Sequence, residues 1–296
     1  MSESVRIQRP VLVTLVAMVV ATSATAGLPA SPPAHATPSA DVVVVPEPHH
    51  MAVGGDTFPL PAVVRLVVAE GADAAAEESV TATLRAAGVR RVVRSTPGES
   101  AEPDQSADPV TVWLGTRDDP SASDILDESG LDDDARHVEG YQLAAGRVQD
   151  GHLVSLVGDD TRGAYYAAQS FRQLVLPGPD RSRVAEVRIR DWPDLRIRGA
   201  IEGFYGEPWS HAERLSQIAF HSRNKMNTYV YAPKDDPYHR DRWREPYPES
   251  DLADLGSLAR AAEAQHVDFV WTLSPGLDIC YSSDEDFATI TTKAKA

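Results

Sequence analysis

The feature that most restricts the fold of this sequence is a threefold alternation of strand-like and helix-like segments after Pro193. The strand-like segments are residues 196–202, 228–232 and 267–273, and each precedes a stretch with helical spacing of apolar residues. Strands that alternate with helices in this way pair in parallel. Three units in about a hundred residues match the repeat length of a (β/α)8 barrel, but a doubly wound sheet fits the periodicity equally well.

The helices of these units have recognisable starts. Ser210 and Glu213 form a capping-box pattern at the start of the first helix, and Ser250 precedes the second. A third helix is predicted from Asp284, and residues 234–248 read as a long loop.

The preceding region, residues 41–192, has a different pattern. Its order of strand, helix, several strands, helix and strand predicts an α+β domain of roughly 150 residues. The predicted strands are 42–45, 62–69, around Val92, 110–114, 141–144, 153–157 and 184–189, and the predicted helices are 73–87 and a segment capped by Thr161.

The N-terminus resembles a secretory signal peptide. Arg6 and Arg9 precede an apolar run at residues 11–21, and the small residues Ala24-Thr25-Ala26 follow. This order of basic, apolar and small residues predicts cleavage after Ala26 and a secreted protein. The run is shorter than the roughly 20 residues that a bilayer needs, so we expect no stable membrane insertion.

Two alternatives at the N-terminus stay open. Ala34-His35-Ala36 is a second possible cleavage site, and the apolar run also fits a buried strand or a retained anchor. Residues 27–40 are rich in Pro, Ala and Ser and predict a flexible lead-in.

Charge and cysteine content exclude some partners and bonds. The formal net charge of −16 argues against nucleic acid as a partner, because phosphates would be repelled. Cys280 is the one cysteine, so no internal disulfide can form.

Unusual residues cluster where the first two strands of the repeat end. Residues 202–209 read EGFYGEPW and residues 231–239 read YAPKDDPYH. Ligands of parallel β/α folds bind at the carboxyl ends of the strands. Glycines there allow close approach of the backbone, aromatic faces stack on sugar rings, and Lys234 can donate to hydroxyl oxygens. As a group these residues fit a sugar site and core positions equally well, and each aromatic residue taken singly is more typical of a core position.

Asp235 and Asp236 allow three interpretations. With His239 they have a spacing that could hold a divalent cation, and as a pair they could be catalytic carboxylates. Lys234, Arg240 and neighbouring arginines make structural salt bridges the favoured interpretation.

Two longer motifs carry a resemblance to a known family. Residues 198–209 read RGAIEGFYGEPW, and residues 227–240 read NTYVYAPKDDPYHR and precede Trp243-Arg244. Together they resemble the retaining β-N-acetylglucosaminidases of glycoside hydrolase family 84, which contains bacterial hyaluronidase-like enzymes and eukaryotic O-GlcNAcases. The upstream stretch 163–169, GAYYAAQ, is similar to the accessory domain that precedes the barrel in this family.

The resemblance implies a fold, namely an α+β accessory domain followed by the first three βα units of a (β/α)8 TIM barrel. Residues 193–296 would be the incomplete start of the catalytic barrel. We expect this barrel part to be unstable by itself, because its strand edges and half-filled core would be exposed, whereas the α+β domain could fold alone.

The resemblance also implies a mechanism without an enzyme nucleophile. The 2-acetamido oxygen of the substrate attacks the anomeric carbon, one aspartate orients it, and the next acts as acid and base. In the family these aspartates follow the fourth barrel strand, so the resemblance places no catalytic residue in this chain. We expect no metal and no cofactor.

The residues that carry over are substrate-binding. Gly203 and Lys234 are implied to contact the sugar, and Tyr205 and Asp235 to shape the pocket. The implied partner is a GlcNAc-containing glycan or glycoprotein. Two alternatives stay open: a fragment that binds GlcNAc glycans without catalysis, and a metal-dependent hydrolase using Asp235, Asp236 and His239.

Overall fold

The computed structural model describes residues 42–99, 108–132 and 135–295. The predicted signal peptide (1–26) and lead-in (27–40) lie outside the described residues. Within the described ranges, none of the helices has the length and apolar character needed to cross a bilayer.

The described residues form strands and helices that alternate along much of the chain. The strands are β1 (His50–Pro59), β2 (Val63–Val68), β3 (Arg91–Ser95), β4 (Val110–Thr116), β5 (Tyr141–Val148), β6 (Gly151–Gly158), β7 (Val175–Leu176), β8 (Arg183–Asp191), β9 (Gly199–Glu202), β10 (Thr228–Tyr231) and β11 (Asp268–Trp271). The helices are α1 (Ala74–Ala86), α2 (Ala122–Ser129), α3 (Thr161–Leu174), α4 (His211–Arg223), α5 (Glu249–Glu263) and α6 (Asp284–Lys295).

The N-terminal strands form one mixed sheet in the order β3-β2-β4-β6-β5-β8-β1, with the short β7 paired to β8. Strands β3, β2, β4 and β6 run parallel, and the pairs from β6 to β1 are antiparallel. The parallel half follows from α1, which connects β2 to β3, because a helical crossover returns the chain in the same direction. The predicted α+β domain therefore contains a half-sheet of α/β character.

Both faces of this sheet are covered by helices. Helices α1 and α3 cover one face, where Val80, Leu84 and Phe171 are fully buried against the strands. Helix α2 packs on the other face against Trp113 through Leu126. A core with helices on both faces explains why the strand residues are apolar in continuous runs.

Two local predictions for this region were wrong, and one strand was missed. Residues 42–45 are not a strand, because the amide and carbonyl of Val45 bond to the side chain of Gln173 instead of a neighbouring strand. The edge strand β1 was missed, since its Gly54-Gly55 pair and a break in register hide the alternation. The helix cap assigned to Thr161 belongs to Asp160, whose carboxylate accepts from the amide of Gly163.

The three C-terminal strands form a separate parallel sheet in the order β9-β10-β11. The capping box of Ser210 and Glu213 is present at the start of α4. Helix α5 begins one residue before Ser250, with Pro248 as its N-cap. These three strand-helix units confirm the alternation predicted from the sequence.

The two faces of the small sheet differ in burial. Tyr229 and Tyr231 point to the side covered by helices and are buried. On the other side Val230 pairs in register with Ile201 and Val270, which are 66% and 40% exposed. One face of the sheet is therefore an uncovered apolar row within the described part of the chain.

Candidate functional site

Two loops meet at the carboxyl ends of β9 and β10. The amide of Lys234 donates to the carbonyl of Phe204 at 3.1 Å, and the amide of Gly206 donates to Asp235 Oδ2 at 3.0 Å. The loop after the first strand is therefore held by the loop after the second. A surface made from two segments that are distant in sequence acquires a defined shape through these bonds.

The four residues predicted to bind or shape a sugar site all lie in these loops. Gly203 is half-buried, and a Cβ there would lie 3.1 Å from Ile201 Cγ2. Tyr205 is 72% exposed, and the guanidinium of Arg240 lies 5.3 Å from its ring centroid. Lys234 is partly buried and Asp235 is exposed. The structure thus brings the predicted residues to one edge of the sheet.

Glu202, directly before Gly203, has a fully buried carboxylate whose role sequence reasoning missed. Arg214 donates to both of its oxygens at 2.9 and 2.8 Å, the amide of Trp209 donates at 3.1 Å, and the hydroxyl of Tyr229 donates as well. Burial first and the carboxylate second raise the pKa of Tyr229, so its hydroxyl stays a donor. These bonds fix the strand end that carries Gly203 to helix α4.

Asp236 has a similar structural role. Its Oδ2 accepts from the hydroxyls of Tyr231 and Tyr247 at 2.7 and 2.8 Å. Its Oδ1 accepts from the amides of Tyr238 and His239 at 2.8 and 3.2 Å. Four neutral donors therefore satisfy this buried carboxylate.

The favoured salt-bridge interpretation of the two aspartates was wrong. In the part of the chain that the structure describes, neither Asp235 nor Asp236 forms an ion pair with Lys234 or the nearby arginines. Backbone amides and tyrosine hydroxyls are the partners instead. Sequence spacing cannot show this, because the tyrosine hydroxyls reach Asp236 from a strand and a distant loop position.

His239 is buried and links the long loop to the end of β11. Its Nδ1 lies 2.8 Å from the carbonyl oxygen of Thr272, and burial lowers its pKa, so the neutral ring donates from Nδ1. Its Nε2 is buried with no hydrogen-bond partner. No group of three or more His, Cys, Asp or Glu side chains in the described ranges is arranged to hold a metal ion. The spacing of Asp235, Asp236 and His239 therefore does not produce a metal-ligand cluster there.

The aromatic residues of the two loops divide into core and surface positions. Trp243 is fully buried, and its indole donates to Asp278 Oδ1 at 2.7 Å. Tyr231 is buried under the guanidinium of Arg214. Phe204 and Tyr205 remain exposed at the sheet edge. The core interpretation therefore holds for Tyr231 and Trp243, whereas Phe204 and Tyr205 are exposed and Trp209 and Tyr238 are half-buried.

Two family models match this chain. Residues 198–296 match a model described as beta-N-acetylglucosaminidase, and residues 41–192 match glycosyl hydrolase family 20, domain 2. The two matches meet between β8 and β9, where the large sheet ends and the small sheet begins.

Known proteins match over different shares of the chain. The Protein O-GlcNAcases of Rattus norvegicus and Mus musculus are 40% identical over 95 residues, which is 32% of this chain and 10% of each relative. The solved structure of CpGH84B aligns with a TM-score of 0.70 and 32% identity over 86% of this chain and 41% of its own. That of CpGH84D aligns with a TM-score of 0.66 and 26% identity over 84% of this chain and 41% of its own. The chain therefore spans about a tenth of the length of the curated relatives that it matches.

Proposed function

Because this chain belongs to the β-N-acetylglucosaminidases of glycoside hydrolase family 84, we propose that it contributes to hydrolysis of terminal β-linked N-acetylglucosamine from glycans or glycoproteins. The observation that carries the proposal is the tethering of the two strand-end loops through Phe204–Lys234 and Gly206–Asp235. Sugar recognition needs donors, acceptors and an aromatic face in a defined arrangement, and these two bonds hold such groups together.

The proposed site residues have separate roles. The backbone at Gly203 approaches the sugar, and the ammonium of Lys234 donates to its hydroxyls. The exposed ring of Tyr205 shapes the pocket beside Arg240. Asp235 accepts a hydrogen bond from the amide of Gly206 and so helps to fix the shape of the pocket.

The proposed reaction is the retaining, substrate-assisted one. The 2-acetamido oxygen attacks the anomeric carbon and the glycosidic bond breaks, while an acid protonates the leaving oxygen. An oxazoline results, which water then opens with the same group acting as base. Asp235 and Asp236 are not assigned to these steps, because both already accept backbone or tyrosine donors. The chemistry is proposed to need the adjacent aspartates that the family carries after a fourth strand.

We also propose that β9, β10 and β11 are consecutive strands of a (β/α)8 barrel. The apolar row of Ile201, Val230 and Val270 supports this, because inward-facing side chains of a barrel lie in layers across neighbouring strands. A doubly wound sheet would instead carry helices on that face.

The test is hydrolysis of a chromogenic β-N-acetylglucosaminide by the 296-residue chain beside a version extended through the downstream reading frame. Activity only in the longer protein, lost in Lys234→Ala, is the expected result. Turnover by the shorter chain that is lost in Asp236→Asn would overturn the assignment of the aspartates. A chelator should leave activity unchanged, and inhibition by a chelator would favour the metal-dependent alternative.

Binding separates catalysis from recognition. If neither protein hydrolyses the substrate but both bind a GlcNAc glycoside in a Lys234-dependent way, the non-catalytic glycan-binding function replaces the proposal. If neither binds nor hydrolyses it, the assignment of the site is wrong.

Export of the protein is a further part of the proposal. It rests on the basic, apolar and small-residue order of residues 1–26, which lie outside the described residues. N-terminal sequencing of protein recovered from the culture medium should begin at Gly27. Recovery of the uncleaved chain inside the cell would contradict export.

A further inference from the structure

Three non-glycine residues of the described ranges have a positive φ angle: Glu139 at 60°, Lys225 at 58° and His266 at 56°. This left-handed region favours glycine, because a Cβ crowds the backbone there. Such residues persist where their surroundings hold them in place. All three lie where the α+β domain (residues 42–192) meets the strand-helix units (residues 193–295).

Lys225 occupies the position after α4 that glycine normally takes. The amide of Met226 donates to the carbonyl of His221 at 2.9 Å, and the amide of Lys225 donates to that of Ser222 at 3.2 Å. This pair of bonds defines a Schellman motif, in which the left-handed residue is usually glycine.

His266 occupies the same position after α5. The amide of Val267 donates to the carbonyl of Ala262 at 2.9 Å, and the amide of His266 donates to that of Glu263 at 3.1 Å. Two successive helix-to-strand turns thus share one geometry. In both, a long polar residue, Lys225 or His266, stands where glycine is usual.

The side chains at these two turns reach the α+β domain. Lys225 Nζ donates to Tyr141 Oη at 2.7 Å and to Asp191 Oδ2 at 2.9 Å. His266 Nε2 lies 2.9 Å from Asp73 Oδ2. The backbone conformation of each turn aims its side chain away from its own helix and onto the other domain.

Glu139 makes the reciprocal contact from the α+β domain. Its carboxylate accepts from Arg198 at 2.6 Å and from Asn227 at 3.2 Å. Arg198 directly precedes β9, and Asn227 directly precedes β10. Arg162 on α3 bonds both to Glu139 and to Asp268, the first residue of β11.

Every strand of the small sheet is therefore held at its N-terminal end by a polar group of the α+β domain. We propose that the α+β domain is a docking platform that sets the position of β9, β10 and β11, and that Glu139, Lys225 and His266 keep left-handed backbones because their side chains make this junction. The platform is a function of the α+β domain that is separate from sugar hydrolysis at the opposite ends of the strands.

Glycine substitution tests this inference. If the left-handed residues have only a local role in their turns, glycine should stabilise the strands, whereas if their side chains dock the two domains, glycine should destabilise them. In the full chain, Lys225→Gly and His266→Gly relieve the backbone but remove the contact. If docking dominates, amide hydrogen exchange of residues 228–231 in Lys225→Gly and of residues 268–271 in His266→Gly should quicken about tenfold, the loss of one charged hydrogen bond. Exchange in β4 and β6 should stay unchanged.

Asp73→Ser is a second variant, which removes the docking contact but keeps the cap of helix α1. Serine still caps α1 by accepting from the amide of Ala76, but it removes the carboxylate that His266 contacts. Amide exchange of residues 268–271 should quicken as in His266→Gly. Exchange in the double variant, Asp73→Ser with His266→Gly, should be no faster than in either single variant. Asn224→Ala, which removes only a bond to the carbonyl of Phe220, is the control and should change neither strand.

Unchanged or slower exchange in both glycine variants would show that the left-handed residues have only a local role, and the platform would be rejected. Equal acceleration in β4, β6 and the small sheet would show general destabilisation and would also reject it.

Discussion

The amide of Gly206 donates a hydrogen bond to Asp235 Oδ2 at 3.0 Å, although the two residues belong to loops that follow different strands. Gly206 has a φ angle of 104°, a conformation that glycine readily adopts. The position of the loop that follows β9 thus depends on an exposed carboxylate 29 residues away.

Removing this carboxylate should weaken sugar binding. Asp235→Ala leaves the Gly206 amide without its partner, and we expect about a fivefold loss of affinity for a GlcNAc glycoside, as for one exposed hydrogen bond. Asp235→Asn keeps an acceptor oxygen and should lose less. Calorimetric titration measures both, with Glu207→Gln, an exposed carboxylate of the same loop, as the control. Equal affinity of Asp235→Ala and the parent would contradict the tether.

Breaking the buried Glu202–Arg214 pair should destabilise the small sheet. Glu202→Gln leaves the Arg214 guanidinium, whose side chain is 12% exposed, without a charged partner. Loss of one member of a buried pair costs about 3 kcal/mol of the free energy of unfolding. Urea unfolding followed by tryptophan fluorescence measures the change.

The capping-box residue Glu213 provides a matched control for Glu202. Its carboxylate is at the exposed start of α4, where glutamine can still accept from Ser210. Glu213→Gln should lose less than about 1 kcal/mol. Equal losses in the two variants would mean that the buried pair contributes no more than a surface cap.

A methyl group at Gly199 should separate β9 from β10. A Cβ there would lie 1.7 Å from the carbonyl oxygen of Thr228, so the strands would have to move apart. We expect Gly199→Ala to lose about 2 kcal/mol, within the range of overpacked sites. Gly276→Ala, where nothing lies within 4 Å of the added Cβ, should change stability by less than about 0.5 kcal/mol. A midpoint of thermal unfolding that is equal for both variants would refute the close approach.

The contacts of His49 beside Trp192 should make the free energy of unfolding depend on pH. The Trp192 ring lies between those of His49 and His137 at 4.1 and 4.2 Å, and His49 bonds to Asp191 and Asp194. Burial lowers the pKa of His49, but the bonds and charges of the two aspartates outweigh it and raise the pKa above 6.5. Burial acts to raise the pKa of Asp191. The charge and hydrogen bond of Lys225 outweigh this effect and lower the pKa below its ordinary value, so this carboxylate stays ionised.

The sign follows from the raised pKa of His49. Its contribution to stability is complete below the ordinary pKa and is lost as pH rises through the raised pKa. The difference in unfolding free energy between the parent and His49→Gln should therefore be largest below pH 6.5 and should shrink as the pH rises through the raised pKa of His49. His50→Gln, whose ring lacks these carboxylate bonds, is the control. A difference that grows with pH would contradict the assignment.

The start of α4 and the strand-helix alternation were accessible from the sequence because they depend on neighbours. Ser210 and Glu213 are three residues apart, and both halves of their capping box lie within one turn. The parallel sheet of β9 to β11 followed from apolar runs separated by helical segments. The strand expected at residues 42–45 was wrong because four valines indicate burial, not the partner that receives the backbone hydrogen bonds.

The roles of single carboxylates were not accessible in the same way. Glu202 and Asp236 stand inside motifs that the sequence marked, yet nothing in the motif shows which donors satisfy them. Asp236 was interpreted through the cations beside it in sequence, whereas the folded chain surrounds it with tyrosine hydroxyls and amides.

By itself, the sequence determined the family, the strand-helix alternation and the position of the candidate site at the strand ends. These depend on local periodicity and on contiguous motifs. The tertiary structure alone decided that Lys225 contacts Tyr141, 84 residues away, and that His266 contacts Asp73, 193 residues away. Such pairings arise because folding brings distant polar groups into a buried junction, where each needs a partner that no local pattern specifies.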